Sequence, residues 1–173
     1  FPAVSSEGAA FWIIRTSPIS FRDFLWSKFW TGLLPIVVLM EGLTIAANYL
    51  LGVDPFLKVV SAAAIILMSF ALVGLATGLG ARYPRFGADT NQVAGSFGGV
   101  AFMILAVLFI IVTIALLGSS SALYMVKQLR HEAFSVMDQI RIGASFAAAI
   151  ALSLGTWLVS MRSGVQALEA MRD

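Results

Sequence analysis

Four long apolar stretches, separated by short polar segments, set the organisation of this chain. They run from about Thr31 to Leu51, from about Phe56 to Leu79, over about residues 95–117, and from about Ile142 to Met161. At 1.5 Å per residue, each is long enough to cross the roughly 30 Å hydrocarbon core of a bilayer. The Ile, Leu, Val and Phe run after Ala101 far exceeds the length of a buried strand, so it reads as helix. The pattern predicts an all-α, polytopic membrane helix bundle with four transmembrane helices. Gly52-Val53-Asp54-Pro55 is a short turn that makes the first two spans antiparallel neighbours. Small residues mark the faces expected to pack: Gly74 and Gly78 with Gly80 in the second span, Gly95 and Gly99 at the start of the third. In the fourth, Gly143, Ala147, Ala151 and Gly155 recur at every fourth position as a ribbon expected to lie tightly on another span.

The polar segments carry a second pattern. From Ser5 to Trp30 the chain predicts two short amphipathic helices with a break between them. Ser5 or Ser6 caps the first, Glu7 lies in its first turn, and Ser17-Pro18 ends it. Ser20 with Asp23 resembles a capping box opening the second, on which Phe21, Phe24, Leu25 and Phe29 form one apolar face. A basic, aromatic-faced helix beside a span is expected to lie in the interface plane, with Trp12, Trp26 and Trp30 at headgroup level. Residues 1–30 are therefore expected to be interfacial, and residues 31–173 to form the transmembrane domain. Arg82 to Gln92 is a polar loop containing Arg82-Tyr83-Pro84-Arg85-Phe86, suited to a protein partner, to lipid headgroups or to plain solvation. Ser119 to Gln139 places Leu123, Val126, Ala133, Met137 and Ile140 at helical spacing among charged residues, which predicts an external amphipathic helix or hairpin before the last span.

Composition sharpens the class. Hydrophobic residues make up 60% of the chain and charged ones 12%, against about 25% charged in soluble domains. The chain is integral to a membrane on that ground. A net charge of +2, with the basic residues gathered at span ends, gives no footprint for nucleic acid. There is no cysteine and a single histidine, His131, so no transition-metal ligand set can be assembled from those residue types. No Gly-x-x-x-x-Gly-Lys-Ser/Thr loop, His-Glu-x-x-His or Gly-x-Ser-x-Gly motif occurs, so neither nucleotide binding nor a membrane enzyme is expected of these residues.

Orientation follows from the basic residues. Placing residues 5–30, the Arg82 loop and the C-terminal tail in the cytoplasm collects Arg15, Arg22, Lys28, Arg82, Arg85, Arg162 and Arg172 there, seven of the eleven. Lys58, Lys127, Arg130 and Arg141 fall on the other side. Within the first span, Glu41 lies near the middle and Asn48 two turns along the same face. A carboxylate at that depth either serves a cavity or partner, as in an ion-coupled carrier, or only helps helix packing.

One family resemblance is carried by particular residues. Glu7-Gly8, an apolar stretch with Phe11-Trp12, then Ser17-Pro18-Ile19-Ser20, Arg22 and Lys28 resemble the cytoplasmic coupling segment of type-2 ABC exporter permeases. Ala9 stands where many members have Thr. Tyr83-Pro84-Arg85-Phe86 and Ser96-Phe97-Gly98-Gly99 are closer to a branch of long ABC exporter permeases. The resemblance implies that the segment docks on a separate ATP-binding cassette ATPase, which holds ATP and Mg, while this chain carries no cofactor. It offers Glu7, Gly8, Phe11, Trp12, Arg15, Pro18, Ser20, Phe21, Arg22 and Lys28 as the contact set. It further implies a second permease half, a place in the plasma or inner membrane with both ends of this stretch cytoplasmic, and at least two spans before Phe1, making the four here the third to sixth. The alternatives are the Glu41-dependent carrier and a non-transporting anchor or assembly protein.

Overall fold

The computed structural model describes residue 5, residues 20–85 and residues 90–170. Five helices account for most of them: α1 (Phe21–Leu50), α2 (Pro55–Arg82), α3 (Thr90–Ala94), α4 (Phe97–Leu129) and α5 (Val136–Glu169). The described residues contain no strand. All but the five-residue α3 are long and apolar enough to cross a membrane.

Local chemistry fixes where each helix begins. Ser20 caps α1, its side chain accepting the Asp23 N–H at 3.1 Å while its hydroxyl donates to Asp23 Oδ2 at 2.6 Å. Asp54 caps α2 ahead of Pro55, which suits the first helical position because no partner is needed for its missing N–H. Ser96 caps α4, and Ser135 with Asp138 forms a full capping box on α5. The connections are equally local. Gly52 turns the chain between α1 and α2 at φ 60°, and His131 does so after α4 at φ 51°.

α1 departs from the expectation of an interfacial helix followed by a separate span. Residues 21–30 are the first turns of one continuous 30-residue helix. The apolar face of that stretch turns into the bundle, with Phe21, Leu25, Phe29 and Leu33 buried. Nothing between Phe21 and Leu34 breaks a helix: Thr31 returns its hydroxyl to the Ser27 carbonyl at 2.9 Å, and Gly32 lies beside Val73. The first of the two expected amphipathic helices lies outside the described residues. The 119–139 segment forms a hairpin without a helix of its own. It consists of the last turns of α4, a tight loop and the start of α5.

α2 and α5 make the most extensive interface, and α1 and α4 each pack on both of them. The contact is close because α2 offers glycine. A Cβ on Gly78 would stand 2.1 Å from the Ser160 carbonyl oxygen, and one on Gly74 would stand 2.5 Å from the Trp157 ring. Small residues allow such backbone approach in a bilayer, where the lipid is as apolar as the side chains and packing itself drives association. Gly99 does the same at the α3–α4 corner, where its Cβ would meet the Ala94 carbonyl at 2.0 Å; Gly95 is exposed.

The Gly143 ribbon lies largely on the outer face of α5. Gly143, Ala147 and Ala151 are exposed, and neither Gly143 nor Gly155 has an atom within 4 Å of an added Cβ. The buried face of α5 is instead Ala149, Ser153, Ser160, Met161, Gly164 and Leu168. A spacing of four drifts about 40° around a helix at each step, so such a ribbon cannot stay opposite one straight neighbour.

Candidate functional site

Elements from distant parts of the sequence meet at one end of the bundle. α1 starts there, and α2 and α5 end there. Phe29 is fully buried at the centre, its ring 5.2 Å from Phe70, 5.6 Å from Trp26, 5.7 Å from Trp30 and 6.2 Å from Trp157. Phe70 and Trp157 lie 5.1 Å apart, and Trp26 and Trp157 5.8 Å apart, so one aromatic cluster joins α1, α2 and α5.

Outside this cluster a cleft of about 970 Å³ opens between α1 and α5. Trp26, Trp157, Leu158, Met161 and Val165 give it an apolar wall; Ser20, Arg22, Asp23, Arg162 and Gln166 give it a polar rim. The side chains of Arg22 and Arg162 are exposed, and neither forms an ion pair among the described residues. Asp23 is engaged by the Ser20 hydroxyl. On α1 the rim and the wall come from helical spacing, since Arg22 precedes Trp26 by one turn. On α5 it is Leu158 and Arg162 that stand one turn apart, and Arg162 lies nearer the end of the helix than Trp157.

Of the residues singled out from the sequence, Ser20 and Arg22 belong to the cleft, Phe21 is buried, and Lys28 lies 5.7 Å from the Phe24 ring on its own helix. Beyond α2, Arg82 sits over the Tyr83 ring at 5.7 Å, and Tyr83 meets Phe97 edge-on at 5.5 Å. The Arg85 N–H donates to Ser5 Oγ at 3.1 Å, which ties the start of the chain to the end of α2. Glu7, Gly8, Phe11, Trp12, Arg15, Pro18 and Phe86 lie outside the described residues.

The intramembrane polar pair is not brought to the cleft. Asn48 donates to Ser61 Oγ at 2.7 Å and so joins α1 to α2 near the opposite end. Glu41 is half-buried, and its Oε1 atom is buried with no hydrogen-bond partner among the described residues. The opposite end has its own polar lock. Asp54 accepts from the Phe56 N–H at 3.0 Å, from the Tyr124 hydroxyl at 3.2 Å and from the Gln128 amide at 3.3 Å. These bonds, led by that from Gln128, hold its carboxyl below the usual aspartate range. Lys127 pairs with Asp138 across the α4–α5 hairpin.

The sequence reading missed the α5 side of the cleft. Trp157 reads as a membrane anchor and Arg162 as part of a polar tail, and no local spacing joins them to Arg22 and Trp26. Gly164 carries no local signal at all, since the residue that needs it, Gly78, is 86 positions away in the sequence.

A family model described as "Putative ATP-binding cassette" matches residues 1–172. No curated protein and no solved structure matches the chain.

Proposed function

The chain belongs to the family described as Putative ATP-binding cassette, and from that premise we propose that it is the membrane-spanning permease part of an ATP-driven exporter. The observation that carries the reading is a family match over residues 1–172 of a chain with four candidate spans among its described residues and no phosphate-binding loop in its sequence. The family name speaks of ATP, yet these residues have no glycine-rich loop with its lysine to cradle phosphates. In this reading a separate ATPase subunit binds and hydrolyses the nucleotide. It docks at the end of the bundle where α1 begins.

The mechanics follow from the packing. α1 is one continuous helix from Phe21 to Leu50, with Pro35 inside it, so a pull at Arg22 acts on a helix rather than on a loop. α2 and α5 are held together through Gly74, Gly78 and Gly164. ATP binding would bias α1 between two positions against that pair, as a shear between packed helices. A second permease half would complete the path. The test is co-purification of the protein from nanodiscs, repeated with Glu7→Ala combined with Arg22→Glu. An ATPase subunit that comes down with the unaltered protein and is lost with the double variant supports the proposal; no ATPase with the unaltered protein sinks it.

A second reading is favoured by the unpartnered Oε1 atom of Glu41 within α1. In an ion-coupled carrier, that carboxylate would take up a proton or cation on each cycle. Transport would then follow a proton gradient in vesicles without ATP and stop with Glu41→Gln. Transport that requires ATP and survives Glu41→Gln rejects this reading.

A further inference from the structure

We propose that the cleft between α1 and α5 is a binding site for an anionic phospholipid. Its layout is amphipathic in the direction a lipid requires. Trp26, Trp157, Leu158 and Met161 line it toward the bundle, and Arg22 and Arg162 stand at the rim. Tryptophans of this kind settle at the headgroup level of a membrane, which puts the two guanidinium groups at the depth of lipid phosphates. At about 970 Å³ the cleft has room for a headgroup and the upper part of an acyl chain.

Charge complementarity sets the sign of the ligand. Arg22 and Arg162 approach from two different helices, and neither has an ion-pair partner among the described residues. A phosphodiester would receive charge-assisted hydrogen bonds from both planar forks. The start of α1 adds its dipole on the same side. Asp23 is the one carboxylate on the rim against two guanidinium groups, so the rim keeps a net positive charge. Basic pockets between transmembrane helices hold anionic headgroups by this combination of charge and depth. A zwitterionic lipid brings its own cation to the rim and gains less.

The proposal does not depend on the exporter reading, and its test uses the full chain in nanodiscs with no ATPase present. Native mass spectrometry is run with phosphatidylglycerol and with phosphatidylcholine of matched chains. The expected result is preferential retention of phosphatidylglycerol, with apparent affinity falling about thirtyfold in Arg22→Gln combined with Arg162→Gln and by about fivefold in Arg162→Gln alone. Glycerol phosphate at the same concentration should not displace the lipid, because it lacks the chain that the tryptophan wall holds. Displacement by glycerol phosphate would overturn the lipid assignment in favour of a soluble phosphate ligand. Unchanged retention in the double variant would overturn the site itself, and would leave the rim to a segment of protein.

A second measurement needs no variant. Phosphatidylglycerol brominated near the top of its acyl chains should quench tryptophan emission of the unaltered protein in a saturable way, beyond the quenching given by the brominated phosphatidylcholine. Equal, non-saturating quenching by the two lipids overturns the proposal.

Discussion

Gly164 rests directly on Gly78: a Cβ added to Gly164 would stand 2.9 Å from the Gly78 carbonyl oxygen and 3.0 Å from its Cα. Here α2 and α5 meet backbone to backbone, and neither helix can retreat without opening the rest of the interface. Gly78→Ala is therefore expected to cost about 1–3 kcal/mol by overpacking. Gly143→Ala and Gly155→Ala, which add a methyl to open space, should be neutral or slightly stabilising. Thermal unfolding of the four purified proteins in detergent decides the matter, and equal losses at all sites would contradict the packing described.

The aromatic cluster should respond according to burial. Phe29 is 0% exposed and Trp30 40%, although the two are neighbours in sequence. Phe29→Ala should cost about 2 kcal/mol, less than the 3–5 typical of water-soluble cores, since lipid offers the freed surface an apolar alternative. Trp30→Ala should cost less than half as much in the same unfolding assay.

Asp54 predicts a pH dependence at the opposite end. Its folded-state pKa is depressed, first by the bond from Gln128. A depressed pKa contributes stability that is present above the unfolded value and is lost as pH falls through the folded one. The link between the α1–α2 turn and α4 should therefore hold at neutral pH and loosen below about pH 4. Hydrogen exchange of the Phe56 amide reads this directly. Protection should fall with acid in the unaltered protein, and Asp54→Ala should remove the dependence.

Glu41→Gln is expected to raise thermal stability. The Oε1 atom is buried with no donor among the described residues, and a neutral amide, which can donate as well as accept, is less costly than a carboxyl group within a span. A loss of stability instead would mean that another chain supplies a donor in the assembled complex.

How much of this could be read beforehand depends on the range of the interaction. The four spans, the Gly52 turn and the Ser20 cap are encoded within a few residues each, and hydropathy or capping chemistry displays them. The continuity of α1 was harder. The apolar face of Phe21, Leu25 and Phe29 suits either a lipid interface or a helical neighbour, and only Val73, Phe70 and Met161 on other helices decide between them. The cleft was harder again, because Arg22 and Arg162 are 140 positions apart. The α5 face shows the limit plainly. Gly143 and Gly164 are the same residue on the same helix, yet one is exposed and the other is clamped by a glycine 86 positions earlier.

The glycine contact between α2 and α5 also bears on how the chain is made. α4 is the most apolar of the four spanning helices and can partition into lipid on its own account, whereas α5 alternates glycine, alanine and serine along much of its length. Assembly in a bilayer proceeds by insertion first and helix association second. α2 therefore waits in the membrane, with Gly78 open to lipid, through the synthesis of some eighty residues before Gly164 arrives to cover it. During that interval any other small-faced helix competes for the same groove, and biogenesis of this bundle is a contest that α5 must win late.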